Sequence, residues 1–122
     1  MRIFKTKWFA RYARKARIKD RSLREVVMRA EQGLIDADLG GNVIKQRVAR
    51  PGQGRSGGHR VLVAFRPKAR AVFLYGFAKN ERGNIDSDEL ATLRDIAAAW
   101  LAADTEQIEK AIAERVLQEL EP

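Results

Sequence analysis

Five cations stand between Val43 and Phe65 with no acidic residue among them: Lys45, Arg47, Arg50, Arg55 and Arg60. Two unit positive charges about 6 Å apart repel by roughly 0.7 to 3 kcal/mol, depending on the effective dielectric. A stretch that carries such repulsion is explained most simply by an anionic partner, and the partner read here is RNA phosphate. Cations fixed on a rigid element can orient a phosphodiester and neutralise the charge that develops as it is cut, with no metal required. Lys79-Asn-Glu-Arg82 places two further cations, Lys79 and Arg82, with the polar Asn80 and the acidic Glu81 between them, further along the chain.

Between the two parts of the first cluster runs a glycine-rich stretch, Arg50-Pro-Gly-Gln-Gly-Arg-Ser-Gly-Gly58. It is not a phosphate-binding P-loop. Ala49 stands where that pattern needs glycine, Arg55 where it needs lysine, and a strand rather than a helix is expected to follow. It reads as a flexible loop whose backbone N–H groups, with Arg55 and Ser56, can cover an extended phosphate backbone. His59 is the only histidine and there is no cysteine. Paired-histidine acid–base chemistry, a cysteine nucleophile, a thiolate metal site and a disulfide framework are therefore excluded. Asp36 and Asp38 lack the third acidic position and the terminal glutamate of a calcium loop. They read as loop solvation and turn capping, and neither metal nor cofactor is expected.

These residues need a scaffold. Val43 to Ala49 alternates as a strand, which puts Lys45 and Arg47 on one face and Ile44, Gln46 and Val48 on the other. His59 to Arg66 and Arg70 to Phe77 form two further strands. Pro67-Lys68-Ala69 between them is short enough to demand an antiparallel hairpin. Antiparallel pairing of the first two strands would line up Lys45, Arg47 and Arg60 on one face, with His59 nearby but on the opposite one. Both later strands are apolar on both faces, so they lie centrally and are covered on at least one side.

Before the strands, Ile3 to Lys5 can form a short strand. A helix follows Thr6, with Trp8, Phe9, Tyr12, Ala13 and Ala16 as its packed stripe. A second helix starts near Ser22, where Ser22-Leu-Arg-Glu25 reads as a capping box, and Gly33 suits its end. The two make a helical hairpin. After the strands, Asp86 or Ser87 caps a helix that carries Leu90, Leu93, Ile96, Ala97, Trp100 and Leu101. Thr105 opens a last helix to about Leu120, with Ile108, Ala111, Ile112, Val116 and Leu120 inward. The expected class is α+β: an N-terminal helical hairpin packed on a mainly antiparallel sheet, followed by C-terminal helices. One domain spans 1–122, with 105–120 as its C-terminal extension.

Charge is distributed unevenly. Residues 1–83 carry 21 Lys and Arg against 6 Asp and Glu, whereas residues 84–122 carry 3 against 10. A basic body with an acidic C-terminal segment points to nucleic acid as the partner of the body. No apolar run approaches the roughly 20 residues of a membrane-spanning helix, and the N-terminus has no uninterrupted apolar core of a secretory signal. A cytoplasmic protein with no membrane partner is expected.

Taken together, the two helices, three antiparallel strands, Ala49-Arg-Pro-Gly-Gln-Gly-Arg-Ser-Gly-Gly-His-Arg60 and the later Lys79-Asn-Glu-Arg82 resemble the RelE/ParE superfamily of toxins from bacterial type II toxin–antitoxin systems. The RelE/HigB-like group is the most similar. The resemblance covers residues 1 to about 100. It implies a ribosome-dependent mRNA endonuclease that inhibits translation and is neutralised by a cognate antitoxin. In such enzymes lysines and arginines drive attack of a ribose 2′-hydroxyl on the adjacent phosphate. The resemblance makes Lys45, Arg47, Arg60 and Lys79 the catalytic set, with Arg50, Arg55, Ser56, His59, Asn80 and Arg82 as RNA contacts. Asn80 replaces a second arginine, and Asn84, Ile85 and Asp86 occupy the region of a stacking tyrosine. No general base is implied for this chain. ParE-type members of the same fold poison DNA gyrase instead, so a non-catalytic gyrase inhibitor or a plain basic RNA-binding module is the alternative.

Overall fold

A computed structural model describes residues 1–50 and 54–121, with the side chains of 50 and 54–57 outside that description. The chain opens with strand β1, Arg2–Thr6. Thr6 ends it and caps helix α1, Lys7–Ala16, its hydroxyl accepting from the Phe9 N–H at 3.1 Å. Arg17 closes α1 in the left-handed region at φ 59°. Helix α2, Asp20–Glu31, begins two residues before the expected Ser22 cap. Asp20 occupies its first turn, where a carboxylate complements the helix dipole, and it pairs with Lys5 at 2.7 Å. Ser22 thus lies inside the helix rather than at its cap. Gly33 follows the helix at φ 82°, a conformation that glycine reaches without strain.

Strand β2 is the short Ala37–Asp38. Strands β3, Val43–Arg50, β4, Gly54–Arg66, and β5, Arg70–Ala78, follow. Both strands flanking the glycine-rich stretch run further into it than the alternation suggested. Helix α3, Ser87–Ala102, starts at Asp86, which forms a capping box with Glu89. Helix α4, Thr105–Ala113, has the equivalent box at Asp104 and Gln107.

Two expectations need correction. The last helix does not reach Leu120. Arg115 turns into the left-handed region at φ 61°, and Leu117–Glu119 becomes strand β6. The edge of β1 makes this favourable: Phe4, Lys5 and Thr6 pair antiparallel with Glu119, Gln118 and Leu117. Val116, expected inward, is exposed, while Leu117 takes the buried place. Nor does the helical hairpin open the architecture. β1 precedes it and enters the sheet, whose order is β2-β3-β4-β5-β1-β6. Because β1 runs parallel to β5 while the other neighbours are antiparallel, the sheet is mixed.

Each face of the sheet is covered by two helices. Phe9, Ala13, Leu23, Val26, Val27 and Ala30 of α1 and α2 pack on Ile44, Val48, Val61, Val63 and Phe73. Leu93, Ala97, Leu101, Ile108 and Ala111 of α3 and α4 pack on Phe4, Val43, Leu62, Val72 and Leu74. Double coverage explains why β4 and β5 are apolar on both faces. Trp8, expected in the core, is 43% exposed and stacks between Tyr12 and Tyr75 at centroid distances of 5.6 and 4.5 Å. The sheet also finishes α3. Arg70 donates to the Trp100 and Ala103 carbonyls, each at 2.7 Å, and Arg66 to that of Leu101 at 3.0 Å. These cations satisfy terminal carbonyls that the helix cannot bond itself.

Candidate functional site

Strand register decides which cations meet. Arg47 pairs with Arg60, Lys45 with Leu62 and Val48 with His59 across β3 and β4. Lys45, Arg47 and Arg60 therefore share the face packed by α3 and α4, and His59 points to the α1 side, as alternation requires. On the next strand Arg60 is opposite Phe77. Lys45, Arg47, Arg60, Asp36 and Ala37 line a depression of about 340 Å3.

Asp36 is what the sequence reading missed. Its Oδ2 accepts from the Arg47 backbone N–H at 2.7 Å and its Oδ1 from the Arg47 guanidinium at 3.0 Å. The cluster thus has an acidic counter-charge, brought back from the preceding loop by β2. Gln46, on the opposite face and fully buried, fixes that loop. Its Oε1 accepts from the Asp36 N–H at 2.7 Å, while Nε2 donates to the Leu34 and Val26 carbonyls at 3.0 and 3.5 Å. Arg29 of α2 donates to the Arg47 carbonyl at 2.6 Å. A buried glutamine in an otherwise apolar strand face was the available signal that something polar had to be held there. Asp38, read as turn capping, does cap: its carboxylate accepts from the Gly40 N–H at 2.9 Å.

Burial pushes the Asp36 carboxyl up, but hydrogen bonds from the Arg47 side chain and backbone, with the charges of Arg47 and Arg29, leave it below the usual carboxylate range. Arg60 is 8% exposed. Its burial first, and then the Arg47 charge, lower its pKa, while Asp36 pulls the other way. A guanidinium stays protonated through such shifts, so Arg60 is a largely buried cation.

The segment after β5 flanks the site. Lys79 and Asn80 are exposed, and the Lys79 N–H donates to the Gly58 carbonyl at 3.2 Å, at the same end of the sheet as Arg60. Arg82 folds back. It forms a forked pair with Glu89 at 2.6 and 3.1 Å, reaches the Tyr75 hydroxyl at 3.3 Å and lies 5.7 Å from the Phe77 ring centroid. The Lys45 ammonium donates to Asn84 Oδ1 at 3.4 Å, so Asn84 is a further neighbour of the site. On the far face His59 is 5% exposed, and its Nδ1 lies 2.6 Å from the Tyr12 hydroxyl. The side chains of Arg50, Arg55 and Ser56 lie outside the described residues.

The family model described as the RelE toxin of the RelE / RelB toxin-antitoxin system matches residues 1–120. The chain belongs to the RelE family. No curated protein matches it. RelE toxins are generally ribonucleases that inhibit translation, and the family implies an antitoxin partner of RelB type. In this RelE chain no described helix is long and apolar enough to cross a membrane.

Proposed function

We infer that this RelE toxin is a cytoplasmic, ribosome-dependent mRNA endoribonuclease, held inactive by a cognate antitoxin. The observation that carries this reading is the juxtaposition of Arg47 and Arg60, with Lys45 two residues along, on one face of a doubly covered sheet. Such a surface is rigid, and rigid placement is what charge stabilisation of a transition state requires. Arg47 and Arg60 hold the scissile phosphate. Lys45 acts at the 2′-hydroxyl or the leaving oxygen, and Lys79 neutralises charge as it develops. The 2′-oxygen attacks phosphorus as its proton leaves, the bond to the 5′-oxygen breaks, and that oxygen takes up a proton. The products are a 2′,3′-cyclic phosphate and a 5′-hydroxyl. No step calls on a metal, because fixed cations already meet the charge. Arg50, Arg55, Ser56, Asn80 and Arg82 extend the RNA contact in this reading, whereas His59, expected as a further contact, is buried on the α1 face against Tyr12 and is left out of it. The Ala49–Arg60 signature supports a HigB-like subgroup within the family.

Induced expression followed by mapping of mRNA 5′ ends tests the proposal. Cuts confined to translated regions and in frame with codons are expected. Growth arrest with intact messages would overturn it and favour a gyrase-directed inhibitor.

A further inference from the structure

Resting on the nuclease reading, a second role belongs to the carboxylate in the depression. Arg47 and Arg60 are opposite partners on adjacent strands, and such pairs have Cβ atoms only about 4.5–5.5 Å apart. Arg47 is long, flexible and 47% exposed at its side chain, so nothing in the strand itself fixes its guanidinium. Left alone, it would swing into solvent and away from Arg60. Asp36 prevents this by gripping both ends of the residue, the backbone N–H at 2.7 Å and the guanidinium at 3.0 Å. Gln46 in turn fixes Asp36 through its backbone N–H.

We propose that Asp36 is a positioning residue for cleavage: it holds the Arg47 guanidinium beside Arg60, so that two cations meet the scissile phosphate in a preset geometry. The arrangement trades attraction for orientation. A carboxylate in an anion-binding site weakens the pull on RNA but saves the cation from being ordered during the reaction. Asp36 acts through Arg47 and need not touch the RNA.

Asp36→Asn separates the two grips. Its amide oxygen still accepts from the Arg47 N–H, which preserves the loop, whereas its NH2 group cannot accept from a guanidinium. Single-turnover cleavage at saturating translating ribosomes is measured for the wild type, Asp36→Asn, Arg47→Ala and the double variant. Affinity is read separately with an RNA lacking the 2′-hydroxyl at the cleavage position. Asp36→Asn should cut at least about tenfold more slowly, within the scale of a small misplacement at a reacting centre. It should bind the uncleavable RNA as tightly as the wild type or more tightly. Added to Arg47→Ala it should cost nothing further, because residues that act through one another are not additive.

An unchanged rate in Asp36→Asn would overturn the inference, as would a loss that persists in full on the Arg47→Ala background. A rate loss that merely tracks a lower melting temperature, or weaker RNA binding, would also count against it. A wild-type protein that cuts no message would sink the nuclease reading and this inference together. A wild type that cuts while Asp36→Asn matches it sinks the inference alone.

Discussion

Arg47 and Arg60 sit directly opposite one another on β3 and β4, yet the side chain of one is half exposed whereas the other residue is 8% exposed. The exposed member can adjust to a ligand. The buried one is set by the sheet, and desolvation strengthens whatever charge interaction it makes.

Arg60 is therefore the residue whose loss should be felt most. Arg60→Ala should abolish growth inhibition and lower cleavage by at least about a hundredfold, the scale of losing one oxyanion-hole donor. Arg60→Lys should recover only part, because a point charge replaces a planar fork suited to two phosphate oxygens. Toxicity, single-turnover cleavage and a melting curve are measured on the same protein. A soluble, folded Arg60→Ala chain with near-normal toxicity would remove Arg60 from the site.

Binding should respond to salt in proportion to the cations engaged. On single strands log K falls with log salt by about 0.7 per phosphate contacted. Lys45→Ala and Lys79→Ala should each flatten that slope by about this amount. Titrations of uncleavable RNA at several ionic strengths measure it. A salt-independent affinity would mean that the basic face is not the binding surface.

Acid should loosen the wall beside Lys45. The hydrogen bonds from Arg82, with the Asp86 backbone N–H, hold the Glu89 carboxyl down at about 2 against a usual 4.5. A carboxyl depressed in the fold contributes stability above its unfolded pKa and loses it as pH falls towards the folded one. The melting temperature of the wild type should exceed that of Glu89→Gln at neutral pH. The gap should narrow between about pH 4.5 and 2 and close below that. A gap that does not change with pH would show that the Arg82–Glu89 charge pair plays no part in it.

Gly76 offers a test of packing under the aromatic cluster. A Cβ there would lie 2.5 Å from Tyr12 Cε2, on the ring whose hydroxyl meets His59. Gly76→Ala must push that ring aside, and overpacking of this kind costs about 1–3 kcal/mol. Thermal or denaturant unfolding should show the loss. An alanine variant as stable as the wild type would mean that α1 can shift freely on the sheet.

What was legible in the sequence follows from the range of the interactions. The shared face of Lys45, Arg47 and Arg60 depends on a period of two and one hairpin, so alternation alone placed it. The Asp86 cap is equally local. Asp36 was not legible as a partner of Arg47, because their contact depends on a two-residue strand and on a buried glutamine reaching across the sheet. Val116 and Leu120 keep helical spacing with Ile108, Ala111 and Ile112, so the pattern continues through a point where the helix stops. The open edge of β1 decides that stop, and tertiary context overrides propensity there. The opposite edge of β1, laid against β5, supplies the parallel pair in a sheet expected to be mainly antiparallel.

That placement of β1 has a consequence for truncated products. Phe4 is paired with Val72 on one side and Glu119 on the other. A chain cut short before about residue 117 retains a strand with a bare hydrogen-bonding edge and lacks the lid that Leu117 and Leu120 provide. Such edges recruit other strands. Premature termination should yield a harmless but adhesive fragment, cleared as aggregate or by proteolysis, rather than a weakened poison.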